Sequence, residues 1–241
     1  MKKLFSVVAV IAVGGCVVYF LTQKKSENLT PVAPTDEISM CYTYSKEALR
    51  GFFDDFSLRL NILGNTVTGE YKSSPAEKDY KAGPFEGTVG VLEQKSMSRT
   101  ADVFWNSFAE GMHVKEELLI KFGDGSAVTG ATGLINRGDE VYIIPNKSKT
   151  IFGGPTLSQV ACSFLDEKEH VEKYIRDNIK TIATNKPALG GSWYVIGVHA
   201  NPAIHTANVV YEDGHIRSKA EVLYEIKPSG EIFVQDFKVA P

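Results

Sequence analysis

The chain has 241 residues, 43% of them hydrophobic and 23% charged, and carries a formal net charge of −3. That is the composition of an ordinary globular protein with enough apolar side chains for one large core or two small ones, which excludes a disordered or fibrous chain. There is no basic excess and no lysine-arginine stripe of the kind a nucleic-acid surface needs, so nucleic acid is excluded from the expected partners.

The first predicted element is an apolar run from Leu4 to Leu21, with Lys2 and Lys3 before it and Lys24 and Lys25 after it. Extended by Thr22 and Gln23, it reaches the roughly 20 residues that a helix needs to cross a bilayer core. The sequence Val13, Gly14, Gly15, Cys16 also fits a lipoprotein cleavage box, with Cys16 as the candidate lipidated residue. Residues 1–23 are therefore read as a transmembrane anchor or a lipoprotein signal, with the folded part outside the cytoplasm at the cell surface or in the periplasm. Residues 24–37 are polar, contain Pro31 and Pro34 and show no hydrophobic period, which predicts a flexible tether.

Residues 38–164 read as an antiparallel β-domain. Phe56, Leu58, Leu60 and Ile62 alternate with Ser57, Arg59 and Asn61, the period of a half-buried strand. A two-residue turn at Gly64 and Asn65 would set Ile62 opposite Val67, Leu60 opposite Gly69 and Leu58 opposite Tyr71, so that both strands offer apolar positions to one face. Further strands are predicted at Ser39–Tyr44, Phe85–Val91, Ala101–Phe108, His113–Phe122, Ala127–Leu134 and Glu140–Ile144. About eight evenly spaced strands without helices predict a calycin-like antiparallel β-barrel, with a β-sandwich as the alternative. Glycines at 69, 87, 130 and 133 fall within these strands, where a sheet curls tightly or bulges.

Residues 165–241 read as a smaller α+β domain. Asp166 to Thr184 predicts a helix, with Asp166 and Glu169 spaced as a capping box and Val171, Tyr174, Ile175, Ile179, Ile182 and Ala183 on one face. Strands near Ser192–His199, Ala207–Glu212, His215–Ile226 and Glu231–Val239 follow, the middle pair joined by an Asp213-Gly214 turn that would place Glu212 across from His215. The simplest arrangement is a four-stranded antiparallel sheet wrapped round the helix. This element order resembles the cystatin-like and nuclear-transport-factor-2-like class. A boundary near Leu165 predicts that this module folds by itself.

The chemical signals are sparse. Glu116 shares the parity of Val114, Leu118 and Ile120, which would carry its carboxylate inward, where it would hold a ligand or act as an acid–base group; a bulge near Gly111 or a position at the barrel mouth is the structural alternative. Trp105 and Tyr71 are the other candidate ligand-binding residues. Cys41 and Cys162 stand near the two ends of the β-domain and would meet as a disulfide if its first and last strands are neighbours in a closed barrel; two separate buried thiols are the alternative. His199, His205 and His215 fit no metal-ligand spacing, the glycines from Gly123 to Gly133 lack the lysine of a phosphate loop, and no nucleophile elbow occurs. No metal and no cofactor are expected.

Several stretches carry a resemblance. Cys-Tyr-Thr-Tyr from Cys41, Val67–Tyr71 (VTGEY), Glu77–Asp79 (EKD), Gly83–Gly87 (GPFEG), Glu110–Met112 (EGM), Leu189–Val195 (LGGSWYV) and Tyr211–Ile216 (YEDGHI) resemble small exported or membrane-anchored bacterial envelope proteins without an assigned activity. The resemblance implies an envelope location and two modules, and transfers no catalytic residue. The expected function is binding or envelope structure, by capture of a small apolar or amphipathic molecule or a protein partner. The alternative is an envelope hydrolase or isomerase using Glu116.

Overall fold

The computed structural model describes residues 36–240 apart from residues 77 and 110. The apolar run, Cys16 and nearly all of the tether lie outside the described residues. Among those described, no helix is long and apolar enough to cross a membrane.

The protein is mainly β. Its first part is a closed eight-stranded antiparallel barrel, followed by one helix and a separate four-stranded antiparallel sheet. The barrel is built from β1 (Ile38–Glu47), β2 (Phe53–Leu63), β3 (Thr66–Ser74), β4 (Lys81–Val89), β5 (Ser98–Ala109), β6 (Met112–Gly123), β7 (Ser126–Gly130) and, last, β10 (Leu157–Val160). Neighbours pair in sequence order up to β7, and β10 closes the ring by pairing with both β7 and β1. The β2–β3 hairpin has the register its alternation demands, with Leu58 opposite Tyr71, Leu60 opposite Gly69 and Ile62 opposite Val67. Gly69 is required there, since a Cβ would lie 1.9 Å from the Arg59 carbonyl oxygen.

The eighth barrel strand is not Glu140–Ile144: Val141–Ile143 forms a short strand, β9, which pairs in parallel with β6 outside the ring and carries the two-residue β8 (Ile135–Asn136). The ring is closed by Leu157–Val160, in which only Leu157 is fully buried, so four residues offer almost no alternation to read. The strand expected to run from Ala127 to Leu134 also ends early, at Gly130, leaving Gly133 in a loop.

The barrel core consists of its inward side chains, among them Tyr42, Leu58, Leu60, Phe85, Val103 and Ile120. They fill the interior as in other small barrels. A second, separate core lies between the helix α1 (Cys162–Ile182) and the sheet of β11 (Tyr194–Asn201), β12 (Thr206–Glu212), β13 (Arg217–Ile226) and β14 (Ile232–Val239). Val171, Ile175 and Ile179 recur at helical spacing on the buried face, against Val209, Tyr211 and Val222.

Helix α1 starts at Cys162, one turn before Asp166, and its N-cap residue Ala161 makes no side-chain cap. The expected Asp166–Glu169 capping box is therefore absent. Cys162 is joined to Cys41 of β1 by a disulfide, with Cα atoms 5.1 Å apart. This crosslink sets where the helix leaves the barrel wall, and Asp166 is free to bind Arg59 of β2 at 2.5 Å instead. The β12–β13 connection is likewise wider than a two-residue turn. Asp213 accepts from the backbone N–H groups of His215, Ile216 and Ala188, so β13 begins at Arg217, and Glu212 faces Arg217 rather than His215. The Arg217 guanidinium donates twice to Glu212, at 2.8 and 2.9 Å.

Candidate functional site

The outward positions of β2 are Phe53, Asp55, Ser57 and Arg59, because Phe56, Leu58 and Leu60 point inward. In a free barrel these side chains would be solvated. Here α1 and β11 lie over them, and four charged groups become buried: Asp55, Lys168 and Glu172, with Lys72 of β3 mostly covered. Lys168 Nζ bridges Asp55, at 2.9 Å, and Glu172, and Lys72 Nζ lies 3.2 Å from the other Glu172 oxygen and 3.7 Å from Asp55. Glu172 also accepts from the Ala200 N–H of β11 at 3.2 Å. Two carboxylates and two ammoniums thus balance inside a poorly solvated seam, the arrangement burial of charge requires.

His199 of β11 completes the wall. Its ring stacks on Phe53 with centroids 4.2 Å apart, and its Nδ1 stands 3.6 Å from Asp55 Oδ1, too far for a hydrogen bond. Asp55 Oδ1 is buried without a hydrogen-bond partner among the described residues. Burial alone would raise the Asp55 carboxyl, but the His199 ring and the Lys168 and Lys72 ammoniums hold it well below the usual carboxylate range. Burial would lower Lys72, yet Glu172 and Asp55 outweigh it and raise the ammonium above its ordinary value. Both groups are therefore ionised at neutral pH.

Two clefts open beside this seam. The first, of about 210 Å³, is lined by Phe53, Asp55, Lys72, Tyr80, Arg176 and His199 among others. The second, of about 310 Å³, shares Lys72, Tyr80 and Arg176 and adds Arg59, Glu70 and Glu169. Burial and the neighbouring Glu70 raise the Glu169 carboxyl against the pull of Arg59 and Lys72.

This geometry does not assemble either of two familiar chemistries. Asp55, Glu172 and His199 place candidate metal-ligand atoms within 4.8 Å of one another. The Lys168 ammonium already binds both carboxylates, standing where a cation would be held. Ser45, His199 and Asp55 have the residue types of a nucleophilic triad. However, Ser45 Oγ lies 3.1 Å from Nε2 and 3.3 Å from Nδ1 of the same ring. An oxygen nearly equidistant from both nitrogens lies across the imidazole rather than along a lone pair, so the ring is not aligned to take its proton.

The residues singled out from the sequence lie elsewhere, and they do gather. Glu116 is directly opposite Trp105 in the β5–β6 register, on the inward face near the barrel end. Its carboxylate is bound by Lys81 at 3.2 Å, and Lys81 sits 5.7 Å from the Trp105 ring centroid. Trp105 packs on Tyr71 with centroids 4.9 Å apart and donates from Nε1 to the Gly83 carbonyl at 3.0 Å. This cluster is packed and internally paired, and neither cleft described above is lined by Glu116 or Trp105. Its neighbour Glu117, of outward parity, is buried under the segment after β9, accepting from the Ile144 N–H at 2.7 Å and from Lys147 at 2.6 Å.

The chain matches no protein-family profile, no curated protein and no solved structure.

Proposed function

We propose that this chain is a membrane-anchored extracytoplasmic binding protein whose ligand sits in the polar cleft between barrel and helix, not inside the barrel. The barrel interior is taken up by its own side chains, which leaves the outer seam as the place for a ligand. The observation that carries this reading is the orphan Oδ1 of Asp55. A buried ionised oxygen without a donor is costly, and such a group in the wall of a cleft calls for an N–H or O–H from outside.

The rest of the wall narrows the ligand class. Lys72, Lys78 and Arg176 line the same cleft, favouring an acidic group, while Phe53 and Tyr80 supply flat apolar surface. A volume near 210 Å³ is below the roughly 300–1,000 Å³ of pockets for drug-sized ligands. The fit is a zwitterion of amino-acid size, its ammonium toward Asp55 and its carboxylate toward the cationic mouth. A thermal-shift screen of the full chain with amino acids, dipeptides and amino sugars tests this. A hit should raise Tm with concentration, fade in Asp55→Asn and weaken in Arg176→Ala, where the exposed side chain leaves the fold intact. No shift from any of these compounds, or shifts indifferent to both substitutions, would remove the assignment.

The location has its own support in the Leu4–Leu21 run and its flanking lysines. The anchored protein should stay with membranes through a high-salt wash. Mass spectrometry of its N-terminus distinguishes an uncut anchor, which retains Met1 or its close neighbours, from a lipid-modified Cys16.

A further inference from the structure

The orphan oxygen of Asp55 has two candidate donors, and only one of them belongs to a ligand. The other is His199. The Asp55 side chain is 8% exposed and its Oδ2 is taken by Lys168 at 2.9 Å, so a donor for Oδ1 has to come from the cleft. The His199 ring lines that cleft with Nδ1 3.6 Å from Oδ1. A displacement of roughly 0.6 Å would bring the two to an ordinary N–H···O distance of about 3.0 Å.

What holds the ring leaves that displacement open. The stack on Phe53, with 17° between the ring planes, fixes the plane of the imidazole but not its rotation within that plane. Ser45 Oγ, nearly equidistant from both ring nitrogens, locks neither of them. The charge of the ring then decides which donor wins. Neutral imidazole has a single N–H, whereas imidazolium has two and makes the stronger, charge-assisted bond to a carboxylate.

The charged and titratable groups around the ring are Asp55 from β2, Lys168, Glu172 and Arg176 from α1, and Lys72, Lys78 and Tyr80 from β3 and the loop after it. Lys168 and Lys72 already balance the two carboxylates of the seam. A protonated His199 therefore adds a net positive charge beside Asp55, satisfies its free oxygen and repels any other cation that approaches it.

We propose that His199 is a proton-operated competitor for the ligand site: when its ring is protonated it donates from Nδ1 to Asp55 Oδ1, and the ammonium of the bound molecule is displaced. The proposal rests on the ligand reading of this cleft. Imidazole is the side chain whose charge ordinarily changes between pH 5 and 8. Asp55, held below the usual carboxylate range despite its burial, is ionised throughout that interval. Proton and ligand thus bind at each other's expense, by the same factor in both directions. Affinity is retained above the titration midpoint of His199 and lost as the pH falls through it.

The full chain in detergent is screened by thermal shift against the same amino acids, dipeptides and amino sugars at about pH 8 and about pH 5.5, toward the two ends of the imidazole range. Compounds that bind at the higher pH should lose at least about fivefold in affinity at the lower. The loss should persist in Glu169→Gln and vanish in His199→Gln, which keeps a hydrogen-bonding side chain that does not titrate. Glu169 is the control because its carboxyl, raised by burial and by Glu70, lines the neighbouring cleft. Affinity that is equal or greater at the lower pH, a loss that survives in His199→Gln, or one abolished in Glu169→Gln overturns the switch and leaves the ligand site standing. No binding at either pH overturns both. If His199→Gln fails to fold, the wild type decides by itself. Its histidine-labelled NMR titration should show the His199 midpoint falling by at least about 0.7 pH unit, the same fivefold factor, when the protein is saturated with a compound that binds at the higher pH. A midpoint that does not move overturns the proposal.

Discussion

Replacing Lys168 by methionine probes the seam between barrel and helix. The side chain keeps its length and apolar stem, so the change removes one buried positive charge and little volume. The wild-type seam balances Asp55 and Glu172 against Lys168 and Lys72. In the variant, two carboxylates share Lys72 alone. At 2.9 Å from Asp55, the lost ammonium contributes an attraction of roughly 6 kcal/mol at an effective dielectric of about 20. Part of that is offset by the desolvation the variant no longer pays, and breaking buried pairs costs about 3–5 kcal/mol in practice. Urea denaturation of the oxidised protein at pH 7.5 should show a loss of that size. The deficit should shrink toward pH 5, because protonating one carboxylate relieves the uncompensated charge. Adding Glu172→Gln to Lys168→Met should recover part of the loss, a coupling that independent sites would not show. A loss below about 1 kcal/mol, the range of solvent-exposed pairs, or strict additivity in the double variant, would refute the claim that these charges are buried together.

Other expectations follow from the same contacts. Reducing the Cys41–Cys162 bridge, which spans 121 residues, should cost about 5 kcal/mol in the chain-entropy picture, read as the difference in urea midpoint with and without reductant; coincident curves would contradict it. Asp55 titrates below its unfolded value of 3.8, so its contribution is complete above that pH and is lost as pH falls through the lower folded value. The stability difference between wild type and Asp55→Asn should accordingly be largest near pH 6 and narrow toward pH 2, and a gap that widens on acidification would reverse the sign of the argument. The helix–sheet core is a separate apolar cluster, so a fragment covering residues 162–241 with Cys162→Ser should unfold cooperatively on heating. Ile179→Asp should abolish that transition by placing an unpaired carboxylate in the core, at several kcal/mol.

The sequence discloses elements whose cause is local. Alternation from Phe56 to Ile62 and the Gly64–Asn65 turn set a register that the hairpin keeps residue for residue, because a one-residue slip would expose every apolar side chain. The apolar stripe of α1 is legible for the same reason. What stayed hidden depends on partners far away in the chain. Leu157–Val160 is too short to show a period, and it is a strand only because β1 and β7 stand on either side. Lys168 and Glu172 have the i,i+4 spacing of an ordinary exposed helix pair, and Asp55 occupies an outward strand position normally left to water. Lys168 meets Asp55 across 113 residues, so neither charge betrays its burial. Leu165, Lys168 and Glu172 line a second covered face of the helix beside the apolar one, but two of these three residues are charged, so their pattern is that of a solvated face and does not announce a second partner. Glu116 was legible as inward-facing, but its partner Lys81 comes from β4, which the pattern of β6 alone does not reveal.

The most direct test of the account is native mass spectrometry of the full chain released from its own membrane in mild detergent. The account predicts a population heavier by one small polar molecule of amino-acid size, present in the wild type, diminished in Arg176→Ala and absent in Asp55→Asn. Wild-type protein that carries no added mass under conditions that preserve its disulfide, or an adduct retained equally by both variants, would contradict the placement of a ligand at Asp55.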